Sequence, residues 1–444
     1  AAATKMTLSS GGNLTVTGVG TFASLDISGD IDVDGTTNLD VVDIDGAVDM
    51  ASTLTVGGVF TVNAGAENTV AKFESTDAGC FIVLEDNGST NNGNRIQVEG
   101  DVMTFSTADT ARLTIAADGG ISTLTAGTSN LRLGVNAGDS IASGGNYNVV
   151  LGDEAGTALT TGDNNVAVGF EALKTEDAHG NNTAVGYRAL KTLNAGAEGY
   201  NVAVGTDAGL SLTTGVRNNL FGAFAGDALT DADFNVAIGS KALGADTLGS
   251  GSIAIGHSAL ENQNFTTATG SFNVAVGHSS GNDITTGQFN TFVGGLSGDA
   301  LTNADENVAL GYASLTTDTL GSKSTAIGAA ALNVQNFTTA TDSHNTAVGY
   351  SAGAAVTTGI RNTLIGAEAG DALTDADQNT AVGQGALSTD TLGSRSTAIG
   401  RNALSAQNFT TATDSYNTAV GHGTGGAVTT GQYNTLIGAQ AGDA

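Results

Sequence analysis

Hydrophobic and polar positions alternate in short stretches that recur along most of this chain. From about residue 130 a pentad repeats: Asn or Ser first, usually Val, Ile or Thr second, usually Ala third, an apolar residue fourth and Gly fifth. Examples are Asn201-Val-Ala-Val-Gly205 and Ser324-Thr-Ala-Ile-Gly328. β-Branched residues between Asn and Gly are typical of short strands bounded by turns. Each pentad therefore predicts one short strand.

The spacing of the pentads predicts how these strands are arranged. Most closing glycines follow one another at a spacing of 17, and every fourth spacing is 21. The pattern returns with a period of 72, as in Gly205, Gly277, Gly349 and Gly421. The shorter unit is too short for a helical hairpin, so we interpret it as one coil of a β-solenoid with two short strands and two turns. At about 4.8 Å per stacked strand, eighteen coils rise about 85 Å.

Each pentad position has an expected role. The fourth position is always apolar and is expected to point into the coil, while the small third-position Ala would face another chain. Gly and Asn suit backbone with positive φ and side-chain-to-backbone bonding, and stacked Asn can form a ladder. The positions that define the repeat are Asn273, Val276, Gly277, Asn345, Val348, Gly349, Asn417, Val420 and Gly421. Large third-position residues recur once per super-repeat as plugs, at Leu220, Phe292, Leu364 and Leu436.

The stretch Asn345-Thr-Ala-Val-Gly-Tyr-Ser-Ala-Gly353 resembles the head repeats of YadA-type trimeric autotransporter adhesins. Similar arrays occur in bacteriophage tail fibres. The resemblance covers about residues 128–444 and rests on eighteen pentads, although both unit lengths exceed that of adhesin heads. It implies an all-β fold in which three chains form left-handed parallel β-rolls around one axis.

Residues 1–127 have a different pattern. Residues 1–64 alternate apolar residues with Asp and Thr, which predicts a β-strand shaft or attachment segment stabilised by trimerisation. Residues 65–127 are richer in large apolar side chains and predict a small all-β knob; residues 70–76 and 86–95 resemble phage fibre knobs. The solenoid would fill residues 128–444. Because the last repeat breaks off without a cap, we expect the native chain to continue.

Composition and charge narrow the function. The chain has 65 Gly and no Pro, which suits a fold that uses nearly every backbone N–H. With 14 Lys and Arg against 44 Asp and Glu, the net charge of −30 disfavours nucleic acid and anionic membranes as partners. No apolar run is long enough for a membrane-spanning helix, and no signal peptide is visible at the start. The single cysteine, Cys80, is expected to be a small residue of the core.

Candidate chemistry is sparse. The spacing of Asp30, Asp32 and Asp34 matches the start of a calcium-binding loop. Val41 stands where such a loop requires a Glu ligand, so a solvated strand face is favoured over an ion site. The five histidines lack the spacing of metal ligands and are expected on the surface or in turns: His179, His257, His278, His344 and His422. Catalytic and phosphate-binding motifs are absent. We predict no enzyme activity, catalytic residue, cofactor or metal.

The longer units carry an insertion, Gln-Asn-Phe-Thr-Thr-Ala-Thr, that could serve either contact or packing. Its phenylalanines are Phe265, Phe337 and Phe409. They could form a repeated ridge that contacts a host glycan or protein. Alternatively, each ring packs under a neighbouring coil or chain, which is the commoner fate of a lone Phe.

The leading hypothesis is a structural fibre protein of a phage virion. It would be a rigid homotrimer on the virion surface, attached at its N-terminal end to other virion or tail proteins, that binds a host glycan or protein. A bacterial trimeric surface adhesin is the alternative. A third possibility, a monomeric solenoid that binds ice or polysaccharide, would require Thr-x-Thr on every coil.

Overall fold

The computed structural model describes residues 5–8, 10–11, 14–17, 54–57, 59–61, 73, 79–84, 93–117, 121–123 and 126–443. The chain divides into two compact units, residues 1–73 and 74–444. In the first unit, strand β1 (Lys5–Leu8) pairs antiparallel with β2 (Leu14–Thr17). Most of the predicted shaft, including Asp30, Asp32, Asp34 and Val41, lies outside the described residues.

The second unit begins with an antiparallel sheet in which neighbouring strands are consecutive in sequence. Cys80 lies on its first strand opposite Val98 and is half-buried, so the expectation of a core position is only partly met. The sheet falls within the predicted knob, whose boundaries stay a prediction. Its strands are β3 (Gly79–Val83), β4 (Arg95–Glu99), β5 (Val102–Thr107), β6 (Thr110–Ile115) and β7 (Ile121–Thr123).

The rest of the unit is a parallel β-solenoid of about eighteen turns, and all regular elements of the described residues are strands. Each pentad supplies one three-residue strand that pairs in register with the strands of the adjacent coils. The strands of this ladder are β8 (Leu131–Leu133), β9 (Val149–Leu151), β10 (Val166–Val168), β11 (Thr183–Val185), β12 (Val202–Val204), β13 (Asn219–Phe221), β14 (Val236–Ile238), β16 (Ile253–Ile255), β18 (Val274–Val276), β19 (Thr291–Val293), β20 (Val308–Leu310), β22 (Thr325–Ile327), β24 (Thr346–Val348), β25 (Thr363–Ile365), β26 (Thr380–Val382), β28 (Thr397–Ile399), β30 (Thr418–Val420) and β31 (Thr435–Ile437).

The expected second strand of each coil is present only around the insertions. There, two-residue strands from successive coils form short parallel pairs. In the other described coils the return path consists of turns, so two strands per coil was wrong as a general rule. The pairs are β15 (Gly249–Ser250) with β17 (Thr269–Gly270), β21 (Gly321–Ser322) with β23 (Thr341–Asp342), and β27 (Gly393–Ser394) with β29 (Thr413–Asp414).

The two faces of the strand are reversed relative to the expectation from sequence. The third-position Ala275 is fully buried inside the coil, whereas its neighbours Val274 and Val276 point outward and stay partly exposed. The same pattern holds in strands β24 and β30, so the fourth-position residues Val348 and Val420 do not form the coil's core. The physical reason is space: the narrow coil accommodates the methyl group of Ala on the strand's inner face.

The core gains its volume from leucines in the turns and from the plugs, of which Leu220, Phe292 and Leu364 are fully buried inside the coil. Phe292 is fully buried, and it lies between two glycines, Gly281 and Gly298. A Cβ at either glycine would come within 2.7 Å and 2.5 Å of the ring, respectively. In coils where neither the coil's own strand nor the next strand carries a plug, leucines such as Leu243 and Leu260 occupy the position equivalent to Gly281. The super-repeat is therefore a pattern of alternating large and small residues in one core.

Asn and Gly have the expected roles. The buried Asn345 donates from Nδ2 to the carbonyl of Gly359 at 2.7 Å, and its Oδ1 accepts the backbone N–H of Asn362 at 2.9 Å, so stacked asparagines link successive coils. Gly349 has φ of 142°, and a Cβ there would lie 2.5 Å from the backbone of Gly366 in the next coil. Only glycine fits this stacked position.

Candidate functional surfaces and polar sites

The outer face of the parallel ladder carries a continuous apolar column. The fourth position of all eighteen pentads is Val, Ile, Leu or Phe, and Phe221, Leu310 and Ile365 are exposed. The second position shares this face and is Thr from Thr325 onward. The strands of these last seven coils thus read Thr-x-aliphatic, which does not supply the Thr-x-Thr required of an ice-binding coil.

The candidate contact ridge of phenylalanines is not exposed. Phe265 is 4 % exposed, Phe337 6 % and Phe409 5 %. The backbone of Phe265 donates to Asp246 Oδ1 at 3.0 Å and accepts from the Thr247 hydroxyl at 2.8 Å. The rings are therefore packed within the chain, as the packing interpretation expects, and are not displayed as a contact ridge, because the insertion folds back over the coil. The exposed residues of this insertion include the neighbouring Thr266 and Thr267.

Each insertion also creates a buried polar network. Asp246 is completely buried; its Oδ1 accepts the N–H of Gly249 at 3.0 Å, and its Oδ2 accepts Gln263 Nε2 at 2.5 Å. The side-chain carbonyl of Gln263 in turn accepts a hydrogen bond from Asn273 Nδ2 at 2.8 Å. The same arrangement recurs in the later insertions, in Asp318 with Gln335 and in Asp390 with Gln407. Because buried polar groups are costly without partners, the network fixes the insertion to the coil.

The first super-repeat has a variant of this network, which the sequence analysis missed. Glu176 stands where Asp246 stands, and it is fully buried. Its Oε1 accepts the N–H groups of Asp177 at 3.2 Å and His179 at 3.1 Å, and its Oε2 accepts that of Ala195 at 3.0 Å. Burial raises the pKa of the Glu176 carboxyl, against the opposing effect of the Ala195 and His179 N–H groups. The signal in the sequence was Glu-x-x-His where later repeats have Asp-x-x-Gly.

His179 lies beside this carboxylate. Its Nδ1 is 3.4 Å from Glu176 Oε1, is shielded from solvent and has no hydrogen-bond partner within the described part of the chain. His257 and His278 are exposed and stack with ring centroids 5.3 Å apart, while His344 and His422 are also exposed, as expected for surface residues. His179 alone among the five is part of a group of potential ligands in the described residues.

The ion pairs of the described residues include two sites near the surface. Glu171 accepts Lys174 Nζ at 2.7 Å and Lys191 Nζ at 2.6 Å, and these hydrogen bonds hold the pKa of the Glu171 carboxyl below its usual value. The ion pair between Lys241 and Glu261 spans 3.2 Å and lies in a shallow groove. This groove of 280 Å³ is lined by Phe224, Asp227, Lys241, Gly244, Ala245, Glu261 and Asn262.

The fold defines the class of the protein as a β-solenoid repeat protein. No helix among the described residues is long and apolar enough to cross a membrane. Comparison of the chain with models of protein families, with curated proteins and with solved structures gave no match.

Proposed function

We propose that this chain is a structural fibre protein of a phage virion, working as a rigid homotrimer in recognition of and attachment to host cells. The observation that carries the proposal is the apolar fourth-position column, which faces outward on eighteen consecutive coils. A long contiguous apolar strip on a soluble surface is typical of a face covered by another protein chain. The resemblance to trimeric adhesin heads and phage fibres supports further copies of this chain as the cover.

The size of the strip fits such an interface. The strip runs along about 85 Å of stacked strands, and the outer face on which it lies, shared with the second position, is about 10 Å across, the length of a three-residue strand. The area of this face, about 850 Å² per chain, corresponds to a standard protein interface, which buries about 800 Å² on each partner. Three copies that cover one another's strips would leave the polar turns and the insertions on the outside.

Attachment would then depend on repetition. The exposed loops at Thr266, Thr338 and Thr410 recur at four-coil intervals, about 19 Å apart along each chain. A trimer multiplies identical weak contacts with a host glycan or protein, and avidity follows from their number. The N-terminal end would join other virion or tail proteins. No catalytic step is assigned to this surface.

The native mass of the chain tests the proposal. We expect three chains by native mass spectrometry, and a shift toward one chain when Val348→Lys places a charge in the apolar column. The matched control, Thr339→Lys, adds the same charge to an exposed insertion loop and should remain trimeric. A mass of one chain for the unmodified protein would overturn the proposal and favour the monomeric solenoid.

The coding sequence on both sides of residues 1–444 separates the two trimeric hypotheses. A virion-attachment segment upstream and a tip or chaperone domain downstream would support the fibre. A signal peptide upstream and amphipathic strands of a membrane anchor downstream would instead make the protein a bacterial surface adhesin.

A further inference from the structure

The buried carboxylates of the solenoid differ in how their oxygens are satisfied. In three super-repeats a glutamine side chain donates to the aspartate, as Gln263 does to Asp246. In the first super-repeat the position of Gln263 is occupied by Leu193, which cannot donate. The position of Gly249 is occupied by His179, whose ring lies next to the carboxylate. The first super-repeat therefore lacks the glutamine donor and has the imidazole of His179 beside the carboxylate instead.

The contact between this imidazole and the carboxylate is incomplete as it stands. Glu176 Oε1 and His179 Nδ1 are 3.4 Å apart without forming a hydrogen bond, and Nδ1 is shielded from water. A neutral imidazole nitrogen without a proton and a carboxylate oxygen both present lone pairs. Two buried lone pairs that face each other repel, so either Nδ1 carries the ring proton or a cation lies between the two atoms.

We propose that Glu176, Asp177 and His179 bind a divalent transition-metal ion, of which Zn²⁺ is the best-fitting example. One potential ligand atom from each residue lies within 4.8 Å of the others. For ligands at about 2.1 Å from a tetrahedral ion, neighbouring ligand atoms are about 3.4 Å apart, which is the separation of Nδ1 and Oε1. One imidazole and two carboxylates match the preferences of zinc, and water would complete the coordination.

The site has a structural rather than a catalytic character. Asp177 is partly exposed and gives the ion a route from solvent, whereas Glu176 is fixed by three backbone N–H groups. The ion would hold together one turn, whose Glu176 carboxylate is already linked to the next coil by the N–H of Ala195. This inference is independent of the trimer, since all three ligands come from one chain.

Zinc titration of the chelator-treated 444-residue chain tests the site. We expect a saturable calorimetric signal with a component of one Zn²⁺ per chain, and Co²⁺ in its place should give the visible absorption of a tetrahedral site. Both should be lost in His179→Ala and in Asp177→Asn, an isosteric change at a partly exposed residue. The control His344→Ala removes an exposed histidine and should leave both unchanged.

Two results would overturn the proposal. One is the absence of a stoichiometric zinc signal in the unmodified chain, in which case a proton shared by Glu176 and His179 is the cation. The other is an unchanged signal in both Asp177→Asn and His179→Ala, which would place the bound zinc at other histidines. Far-ultraviolet circular dichroism of each variant, compared with the unmodified chain, separates loss of a ligand from loss of the fold.

Discussion

The alternation of large and small core residues leads to a quantitative prediction for Phe292. Phe292→Ala removes a fully buried ring whose neighbours Gly281 and Gly298 have no side chains that could fill the space. Losing about 100 Å³ costs about 2 kcal/mol for the cavity at about 24 cal/mol per Å³, and the lost burial adds about 2 kcal/mol. We therefore expect destabilisation by about 4 kcal/mol, in the range typical of Phe-to-Ala changes in cores.

A second substitution should recover part of this loss. In coils that do not adjoin a plug, Leu243 and Leu260 have φ of 55° and 49° at the position equivalent to Gly281, where φ is 57°. The backbone thus already accepts leucine there. Gly281→Leu alone places a Cβ 2.7 Å from the Phe292 ring, so overpacking should cost about 1–3 kcal/mol. Combined with Phe292→Ala, the new leucine fills the vacated space, and the coupling should reach about 2 kcal/mol.

The assay is a double-mutant cycle in which the free energy of unfolding is measured with denaturant. Because repeat proteins can open locally, hydrogen exchange at strands β19 and β20 supplements it. Phe289→Ala is the matched control: its ring is 53 % exposed, so the change should cost less than about 1 kcal/mol. If the costs of Phe292→Ala and Gly281→Leu add within about 0.5 kcal/mol, the size complementarity is refuted.

Three further predictions concern other elements. Gly349→Ala should lower the thermal midpoint in a calorimetric scan, because its Cβ would overlap the backbone of Gly366, whereas Gly196→Ala, with open space around it, should not. Asn345→Ala should cost about 1–3 kcal/mol in denaturant unfolding, because it leaves the buried N–H of Asn362 without its acceptor. Hydrogen bonds from lysines lower the pKa of Glu171 in the folded chain. The stabilisation of the fold by the ionised Glu171 carboxylate should therefore be complete above about pH 5 and vanish as pH falls through the lowered pKa. Thermal midpoints of the unmodified chain and of Glu171→Gln should therefore converge in acid, and a constant difference would contradict this.

The repeat made much of the solenoid predictable from sequence. Strand positions, the stacked Gly349 and the bonding of Asn345 follow from local rules, since turn geometry and side-chain bonding depend on nearby residues. The direction of the strand faces was not predictable in this way, because second, third and fourth positions are all apolar in pentads such as Asn273-Val-Ala-Val-Gly277. A better signal was available: plug Phe292 is paired with Gly281 and Gly298, which places the third position inside.

The candidate sites were harder to predict than the fold. Phe265 is equally suited to contact and to packing until the path of the insertion is known. Asp246 looks like a turn residue in sequence, and its burial depends on Gln263, which comes from the next coil. Glu176 and His179 interact only because their turn folds inward. The contact of Asp246 with Gln263 arises from stacking of coils and is not encoded in one repeat, whereas that of Glu176 with His179 lies within a single turn.

Two positions on the same outer face differ in a way that supports the proposed trimer. The second and fourth positions belong to the same three-residue strands and meet the same requirement for strand-forming residues. The second position is polar in ten of eighteen pentads, as in Thr346, whereas the fourth is polar in none. Strand propensity therefore permits threonine on this face, and the coil's own core is closed by Ala347 and its equivalents. The intermolecular contact that we propose along the fourth position would account for the difference.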